Sequence, residues 1–599
     1  MSHDLVIRGG LVVDGSGGAP FEADVAIDGA RIAAVGAALG PGRRELDARG
    51  CIVTPGFVDL HTHYDGQVSW DPDLQPSSVH GVTTAVMGNC GVGFAPVRAG
   101  DRERLIALME GVEDIPGSAL AEGISWDWEH FSEYLDALDR KPRTIDIAAQ
   151  VTHDPLRVFV MGERALHDQA ATAEDIAAMA RLLGEALDAG AVGFSTGRTD
   201  NHRSNRGEHT PAAEARLEEL VGLAGAFRGR DRGVLQAVSD FDMFQGPERF
   251  DPEFDLLLAM ARAAGRPMSI SLMQRDQAPG QWRRILQRVE AANAEGVPLR
   301  VQVGARAIGV LLGLQATFHP FMGFPSYKAI AALPLADRVQ AMRDPAFRAR
   351  VLAERHEPLA GDGSAIPPLA DLLLARLDQL AFRIFSLGAT PDYEPPMSRS
   401  LGITAKTQGV PVLEALYDAL LGDDGRALLY FPLYNYGEGN LDAVREMLTH
   451  PLALPGLSDG GAHVGTVCDA SFPTFLLQHW ARDRGRARPG AGLELARVIQ
   501  MQCADTAAFL GFEDRGLLRV GLKADVNIID LDRLQLQQPH MVADLPAGSQ
   551  RLLQRADGYR ATICGGVVIA EDGVLTGARP GRLVRARSLR SAASAGGVG

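Results

Sequence analysis

Two histidines separated by one residue, His61 and His63, lie in the segment FVDLHTHYDG. On a β-strand, residues i and i+2 point to the same side, so both imidazoles would face one point in space. Imidazole nitrogens are preferred ligands of zinc and of similar borderline metals. A histidine pair also occurs on half-buried strands without any metal, because short motifs match by chance. The hydrophobic run PGFVDL before the pair favours a metal site, since it predicts a buried strand that ends at the histidines.

Asp459, in the segment LSDGGAHVG, is a candidate acid–base group. A metal ion lowers the pKa of a bound water toward ~7 and makes hydroxide available at neutral pH. A carboxylate within hydrogen-bond reach would then carry the proton to a leaving nitrogen. Turn chemistry alone also explains an aspartate in S-D-G-G, because Asp and Gly are common turn residues. With the histidine pair present, we predict that Asp459 is catalytic.

The elements that must position these groups are eight predicted strands with helical runs between several of them. They span residues 52–60, 83–89, 145–151, 191–196, 234–238, 268–273, 299–303 and 452–458. Alternating β and α segments predict an α/β fold with a parallel (β/α)8 TIM-like barrel, whose active site lies at the carboxyl ends of the strands. The stretch of about 310–450 is too long for one crossover, so we predict a helical insertion there.

The two ends of the chain have a different sequence pattern, which predicts short strands of alternating apolar and polar residues separated by Gly and Asp-Gly turns. We predict that residues 1–54 and 513–585 form the two parts of one small β-sandwich domain, because chain termini often lie close together. The barrel then occupies residues 55–512, and residues 586–599 form a disordered tail.

Composition limits the classes of function for these 599 residues. The net charge of −16 argues against nucleic-acid binding, which needs a basic face. Five cysteines without a C-x-x-C pair predict a reducing compartment. Neither a signal peptide nor an apolar run long enough to span a membrane is found, so we expect a cytoplasmic protein with a small-molecule substrate. The sequence leaves the question of a homo-oligomer open.

The segment GCIVTPGFVDLHTHYD resembles the first barrel strand of the amidohydrolase superfamily. GNCGVGFAP, AVGFSTGR, LSDGGAHVG and GLLRVGLKADVNIID extend the resemblance over nearly the whole chain, and GNCG resembles the N-acyl-D-amino-acid deacylases (D-aminoacylases), in particular a longer subgroup. The resemblance implies a metal-dependent hydrolase of carbon–nitrogen bonds other than peptide bonds. It also implies that Asp459 touches the metal and that Cys90 is a metal ligand. A buried structural cysteine is the alternative for Cys90.

The chain departs from the deacylase pattern on strands five and six, where those enzymes carry histidines. Gln236 and Gln274 lie there instead, and amides are weak zinc ligands. None of the four lysines falls on a predicted barrel strand, so a carboxylated lysine is not expected to substitute. We therefore predict one zinc ion rather than two, held by His61, His63 and Asp459 with Cys90.

A second departure concerns the substrate. The deacylases hold the amino-acid carboxylate with an arginine shortly after the SDG segment, and this chain has none there. Arginine pairs with carboxylates through two hydrogen bonds, so it could act from another loop. The candidate substrate-binding residues, each with an alternative as a surface or supporting residue, are His153, Arg198, Arg203, Arg306 and His463.

The sequence thus favours hydrolysis of an amide carbon–nitrogen bond, with an N-acyl amino acid as substrate. A cyclic amide, a lactone or a carbamate is the alternative within the same chemistry. A degenerate barrel that binds a ligand without turnover is the alternative outside it, and the missing histidines of strands five and six favour that interpretation.

Overall fold

The computed structural model describes residues 2–167, 169–241, 246–359 and 368–586. The predicted tail, 586–599, lies outside the described residues from residue 587 onward.

Eight parallel strands form the centre of the molecule. They are β1 Phe57–Asp59, β2 Val82–Met87, β3 Asp146–Thr152, β4 Gly193–Arg198, β5 Val234–Ser239, β6 Met268–Leu272, β7 Leu299–Val303 and β8 Ala453–Pro455. Each strand pairs with its neighbours in chain order. Just beyond the strands, a parallel bridge joins Thr62 to Gly460 and the His63 amide donates to the Gly460 carbonyl at 2.8 Å, so the end of β8 meets the end of β1. The predicted (β/α)8 barrel is confirmed.

Helices follow most of the barrel strands. The main ones span Arg102–Glu113, Phe131–Asp139, His153–Met161, Ala173–Ala189, Leu217–Ala224, Phe250–Ala264, Gln281–Ala294, Asp442–Leu448 and Leu495–Gln500. The local sequence determines the limits of helix Ala173–Ala189, because Thr172 and Asp175 cap its start and Gly190 (φ +113°) ends it. Its buried residues, among them Met179 and Leu183, recur at helical spacing. In the described part of the chain, no helix combines the length and the apolar character that crossing a membrane requires.

The predicted first strand, 52–60, is two strands. Ile52–Pro55 pairs with Val526–Ile529 in the sheet of the chain ends, and β1 begins at Phe57. The break is at Gly56, where a Cβ atom would lie 2.2 Å from the Thr83 hydroxyl oxygen. A side chain at this position would therefore push the strand away from β2.

Both chain ends contribute to one sheet of nine strands. These are His3–Val12, Phe21–Asp28, Arg31–Gly36, Gly42–Asp47, Ile52–Pro55, Val526–Ile529, Tyr559–Cys564, Val567–Glu571 and Val574–Leu575. Residues from both ends, such as Ile7, Val53 and Ile528, pack in one buried apolar cluster. The predicted extra β domain beside the barrel is therefore present. Two short hairpin-like pairs lie between its C-terminal strands, Gln535–Leu536 with Ala556–Asp557 and His540–Val542 with Arg551–Leu553.

The insertion between β7 and β8 was predicted to be helical, but it contains both helices and strands. Its main helices span Leu335–Arg343, Pro345–Ala353, Pro368–Leu374, Leu377–Leu380, Leu401–Gln408 and Val412–Leu420. An antiparallel sheet of Gly309–Leu312, Leu429–Pro432 and Phe385–Ser386 joins them. A separate apolar cluster, which includes Phe321, Leu416 and Tyr417, forms its core.

Candidate active site

Four predicted metal ligands converge at the carboxyl ends of the barrel strands. Ligand atoms of His61, His63 and Cys90 all lie within 4.8 Å of one another and are buried. His61 Nε2 is 3.4 Å from Cys90 Sγ and 3.3 Å from Asp459 Oδ1, and His63 Nε2 is 3.8 Å from that oxygen. Tetrahedral zinc with bonds of about 2.0–2.3 Å separates its ligands by about 3.3–3.8 Å. His61, His63 and Cys90 are therefore close enough to share a zinc ion, and the Asp459 carboxylate lies beside both imidazoles. We call these four residues the donor cluster.

Each histidine of the donor cluster has a polar group behind its ring. His61 Nδ1 lies 2.6 Å from Gln302 Oε1, which accepts its proton and leaves Nε2 free toward the cluster. His63 Nδ1 lies 3.2 Å from Glu113 Oε1, although the pair is misaligned for a hydrogen bond. Such partners fix the orientation and the tautomer of a metal-binding imidazole.

The electrostatics of the cluster favour a bound cation. Burial lowers the pKa of His61 to about 4 and that of His63 well below its usual value, so both rings are neutral and ready to bind a metal. Burial also raises the pKa of the Cys90 thiol and of the Asp459 and Glu113 carboxyl groups. Neither carboxylate oxygen of Glu113 has a hydrogen-bond partner. A metal ion would stabilise the charged forms of these acids.

The loops that carry the donors have unusual backbone conformations. Cys90 (φ +55°) and, after β8, Leu457 (φ +57°), Asp459 (φ +49°) and His463 (φ +48°) all adopt the left-handed region. For residues other than glycine this region is sparsely populated and costs of order 1–3 kcal/mol each, and such residues cluster at functional sites. The fold therefore stabilises a strained arrangement at the positions where the predicted ligands lie.

The glutamines on the fifth and sixth strands have other roles. Gln236 Oε1 accepts a hydrogen bond from the Cys90 amide at 2.9 Å, so Gln236 positions the cysteine loop. Gln274 donates to the Glu438 carboxylate at 2.8 and 2.9 Å and accepts from the Gly437 amide at 3.0 Å, which ties β6 to the insertion. Each side-chain oxygen is thus engaged by a backbone amide.

The pattern of the Amidohydrolase family matches residues 44–570. The chain belongs to the amidohydrolase family. It is therefore a metal-dependent hydrolase of carbon–nitrogen bonds other than peptide bonds.

Individual relatives agree with this family. D-aminoacylase from Alcaligenes xylosoxydans xylosoxydans is 27% identical over 97% of this chain and 97% of its own length. N-acyl-D-glutamate deacylase from the same organism is 32% identical over 57% of this chain and 67% of its own length. A crystal structure of a D-aminoacylase, 24% identical, superposes with a TM-score of 0.63 and covers 98% of this chain and 100% of that one, which supports the fold.

Two site residues of this amidohydrolase were not predicted from its sequence. Glu113 is the last residue of helix Arg102–Glu113, is 1% exposed, and lies between His63 and His463. His202, in the loop after β4, lines the same cavity, and burial lowers its pKa to about 3. The histidine and glutamate content of that loop was visible in STGRTDNHRSNRGEH, whereas nothing in the local sequence distinguishes Glu113 from other helix residues.

Of the predicted substrate-binding residues, the structure brings only His463 to the donor cluster. His463 lines the cavity, and its Nε2 is 3.5 Å from Glu113 Oε2. His153 is fully buried outside the cavity, where Nε2 lies 3.0 Å from Glu219 and Nδ1 lies 2.9 Å from Thr196. It is therefore part of a buried polar network.

The predicted arginines also lie outside the cavity lining. Arg198 makes two hydrogen bonds to Glu253, at 2.6 and 3.1 Å. Arg306 pairs with Asp469 at 3.1 Å, and its guanidinium lies 3.6 Å from the centre of the Tyr393 ring. Arg203 donates to backbone carbonyls within its own loop. Each of these cations is paired with protein groups, and none of them lines the cavity in which a substrate carboxylate would lie.

A cavity of about 360 Å³ opens onto the donor cluster. Its lining includes His61, His63, Cys90 and Asp459, together with apolar side chains from the barrel and from the insertion. Ligand cavities are typically of this size and character, with a few polar groups that orient the ligand.

Proposed function

We propose that this amidohydrolase removes the acyl group from an N-acyl amino acid and that one zinc ion supports the reaction. The observation that carries the proposal is a group of two imidazoles and a thiol close enough to share an ion inside the cavity, with the Asp459 carboxylate beside both imidazoles. Its relatives D-aminoacylase and N-acyl-D-glutamate deacylase support the class of substrate.

The roles of the residues follow from their positions. When bound, the zinc ion would supply Lewis acidity and a water of lowered pKa. His61 and His63 would hold the ion through Nε2, because their Nδ1 atoms face Gln302 and Glu113. Asp459 has its carboxylate in the cavity beside both imidazoles, so it can accept a proton and pass it to the leaving nitrogen.

One ion is the simpler proposal, because the groups needed for a second ligand set are engaged elsewhere. The oxygen of Gln236 is occupied by the Cys90 amide, and that of Gln274 by the Gly437 amide. Among the described residues, the only group of three or more His, Cys, Asp or Glu side chains close enough to share an ion is His61, His63 and Cys90.

The test combines metal analysis with the Asp459→Asn substitution. We expect about one zinc per chain by elemental analysis, loss of activity on chelation and recovery on adding zinc. In Asp459→Asn we expect kcat to fall by about 10²–10⁴-fold while most of the metal remains bound. A wild-type protein that binds no metal and hydrolyses no amide after metal addition would support the degenerate barrel. Full activity of Asp459→Asn would show that the proton is carried by another group.

A further inference from the structure

The insertion supplies an apolar wall to the catalytic cavity. Leu374, Leu377, Leu380, Ile384, Phe431 and Leu433 all line it. They come from two helices and the three-stranded sheet of the insertion, and several also belong to its core. The wall is therefore a built part of the fold, supported from behind by packed side chains.

The barrel side of the cavity also carries apolar side chains. Val238 lies in β5 and Phe241 follows it, Met273 follows β6, and Ile285 lies on the next helix. Apolar groups of a ligand that cover this part of the lining are stabilised because apolar surface is removed from water. The aliphatic surface is thus available to a ligand of matching character.

The charges around the cavity argue against a second anionic group of the substrate. Six carboxylates line it, namely Glu110, Glu113, Asp114, Asp240, Asp459 and Asp469. In the described lining, Arg275 is the one arginine or lysine, and it donates to the Asp240 carbonyl at 2.6 Å and to Gln281. Acidic side chains thus outnumber basic ones in the described lining, which favours a neutral group over an added anion.

The volume of the cavity also favours a long apolar group. An acetyl group would occupy only a small part of about 360 Å³ and would leave the wall of the insertion uncovered. Burying a methylene group stabilises a complex by about fourfold in affinity. A longer chain therefore gains binding with each carbon that lies against the wall.

Resting on the proposed function, we propose that the substrate carries an extended, uncharged aliphatic chain that lies along the wall of the insertion while its amide carbon lies at the donor cluster. The chain belongs either to the acyl group or to the side chain of the amino acid. The shared chemistry is a hydrocarbon chain of octyl length or longer next to an amide.

A series of substrates distinguishes the two sides of the scissile bond. The first arm uses D- and L-alanine acylated with acetyl, butyryl, octanoyl and dodecanoyl groups. The second uses the N-acetyl derivatives of D- and L-alanine, 2-aminodecanoate and 2-aminotetradecanoate, whose side chains are methyl, octyl and dodecyl. We expect kcat/KM to rise at least about a hundredfold from the shortest to the longest member of one arm. Equal kcat/KM for short and long members of both arms would overturn the proposal.

A binding measurement separates this inference from the proposed function. Acetohydroxamate and dodecanohydroxamate have the same metal-binding head, and neither is an amide of an amino acid. Calorimetry with the zinc-loaded protein should give a Kd at least about a hundredfold lower for the dodecanoyl compound. If no amide is hydrolysed but this difference is found, the inference stands and the proposed function fails. If amides are hydrolysed and the two Kd values agree, the inference fails alone.

A pair of matched variants tests the wall itself. Leu380 is partly buried and lines the cavity, whereas Leu413 is partly buried against the same core of the insertion but lies outside the lining. Leu380→Gln should reduce the preference for dodecanoyl over acetyl compounds by about tenfold. Leu413→Gln should leave the preference unchanged. Equal behaviour of the two variants would contradict an aliphatic chain at the wall.

Discussion

Glu113 lies behind one imidazole of the donor cluster. It is 1% exposed and its Oε1 lies 3.2 Å from His63 Nδ1, so we expect its carboxylate to support the imidazole that would bind the metal. We expect Glu113→Gln to weaken zinc binding by about 10–100-fold, measured by competition with a chelator of known affinity.

The control for this prediction lies one helical turn earlier. Glu110 also lines the cavity, but its carboxylate bonds to the side chain of Asn205 and to the Gly117 amide. Glu110→Gln should leave the zinc affinity unchanged. If both variants lose zinc to the same extent, the carboxylate of Glu113 acts on the charge of the cavity as a whole and has no specific contact with His63.

At the scale of residues, the sequence predicted those site residues that lie in local sequence motifs. His61, His63, Cys90 and Asp459 follow strands directly, so their meeting at the barrel mouth follows from topology. Glu113 reaches the cluster from the end of a helix after β2, and only the packing of that helix brings it there. Arg198 and Arg306 were predicted to bind the substrate, but they pair with Glu253 and Asp469. These partners are distant in sequence, so local motifs do not indicate the two ion pairs.

At the scale of elements, the loop after β2 is held directly against β4. Gly91 has φ +82°, and a Cβ atom there would lie 2.6 Å from the backbone nitrogen of Gly197. Gly91→Ala should therefore destabilise the protein by about 1–3 kcal/mol and weaken zinc binding, because the displaced loop carries Cys90. Denaturant unfolding and metal titration would measure the two effects.

Gly100 provides the comparison for this substitution. It lies in the turn Ala99–Asp101 with ordinary φ, and an added Cβ would meet no atom within 4 Å. Gly100→Ala should change stability by no more than about 0.5 kcal/mol. A loss in Gly91→Ala no larger than this would mean that the loop moves away from β4 without strain.

Strand periodicity predicted the order of the barrel strands but not all their limits. The hydrophobic run 52–60 looks continuous, yet its halves serve two sheets, because Gly56 must pass close to Thr83. The insertion was predicted to be helical, and its strand Leu429–Pro432 was missed. That strand pairs with Gly309–Leu312 from more than a hundred residues away, a contact that local sequence does not encode.

At the scale of the whole molecule, a buried ionic group joins the barrel to the domain formed by the chain ends. Asp146, the first residue of β3, lies 2.8 Å from Arg515 and 2.9 Å from Lys523, and it accepts from the Arg582 amide at 2.9 Å. Lys523 belongs to the segment GLKADVNIID, so this part of the resemblance has a structural role. All three partners lie near the C-terminal end of the chain.

This group predicts a dependence of stability on acid. Burial alone would raise the pKa of Asp146, but the charges of Lys523 and Arg515 outweigh it and hold that pKa below its usual value. A carboxyl group with a lowered pKa in the folded state contributes stability above its unfolded pKa of about 3.9, and this contribution is lost as the pH falls through the folded value.

Asp146→Asn should lower the free energy of unfolding by about 3–5 kcal/mol near neutral pH, because it leaves buried cations without their partner. The difference from wild type should shrink below about pH 4, in denaturant unfolding measured across that range. Asp136→Asn removes the exposed ion pair with Arg585 and should cost no more than about 1 kcal/mol at any pH. Equal losses in the two variants would mean that the burial of Asp146 does not strengthen its ion pairs, and that the barrel and the domain of the chain ends are held together by their apolar contacts.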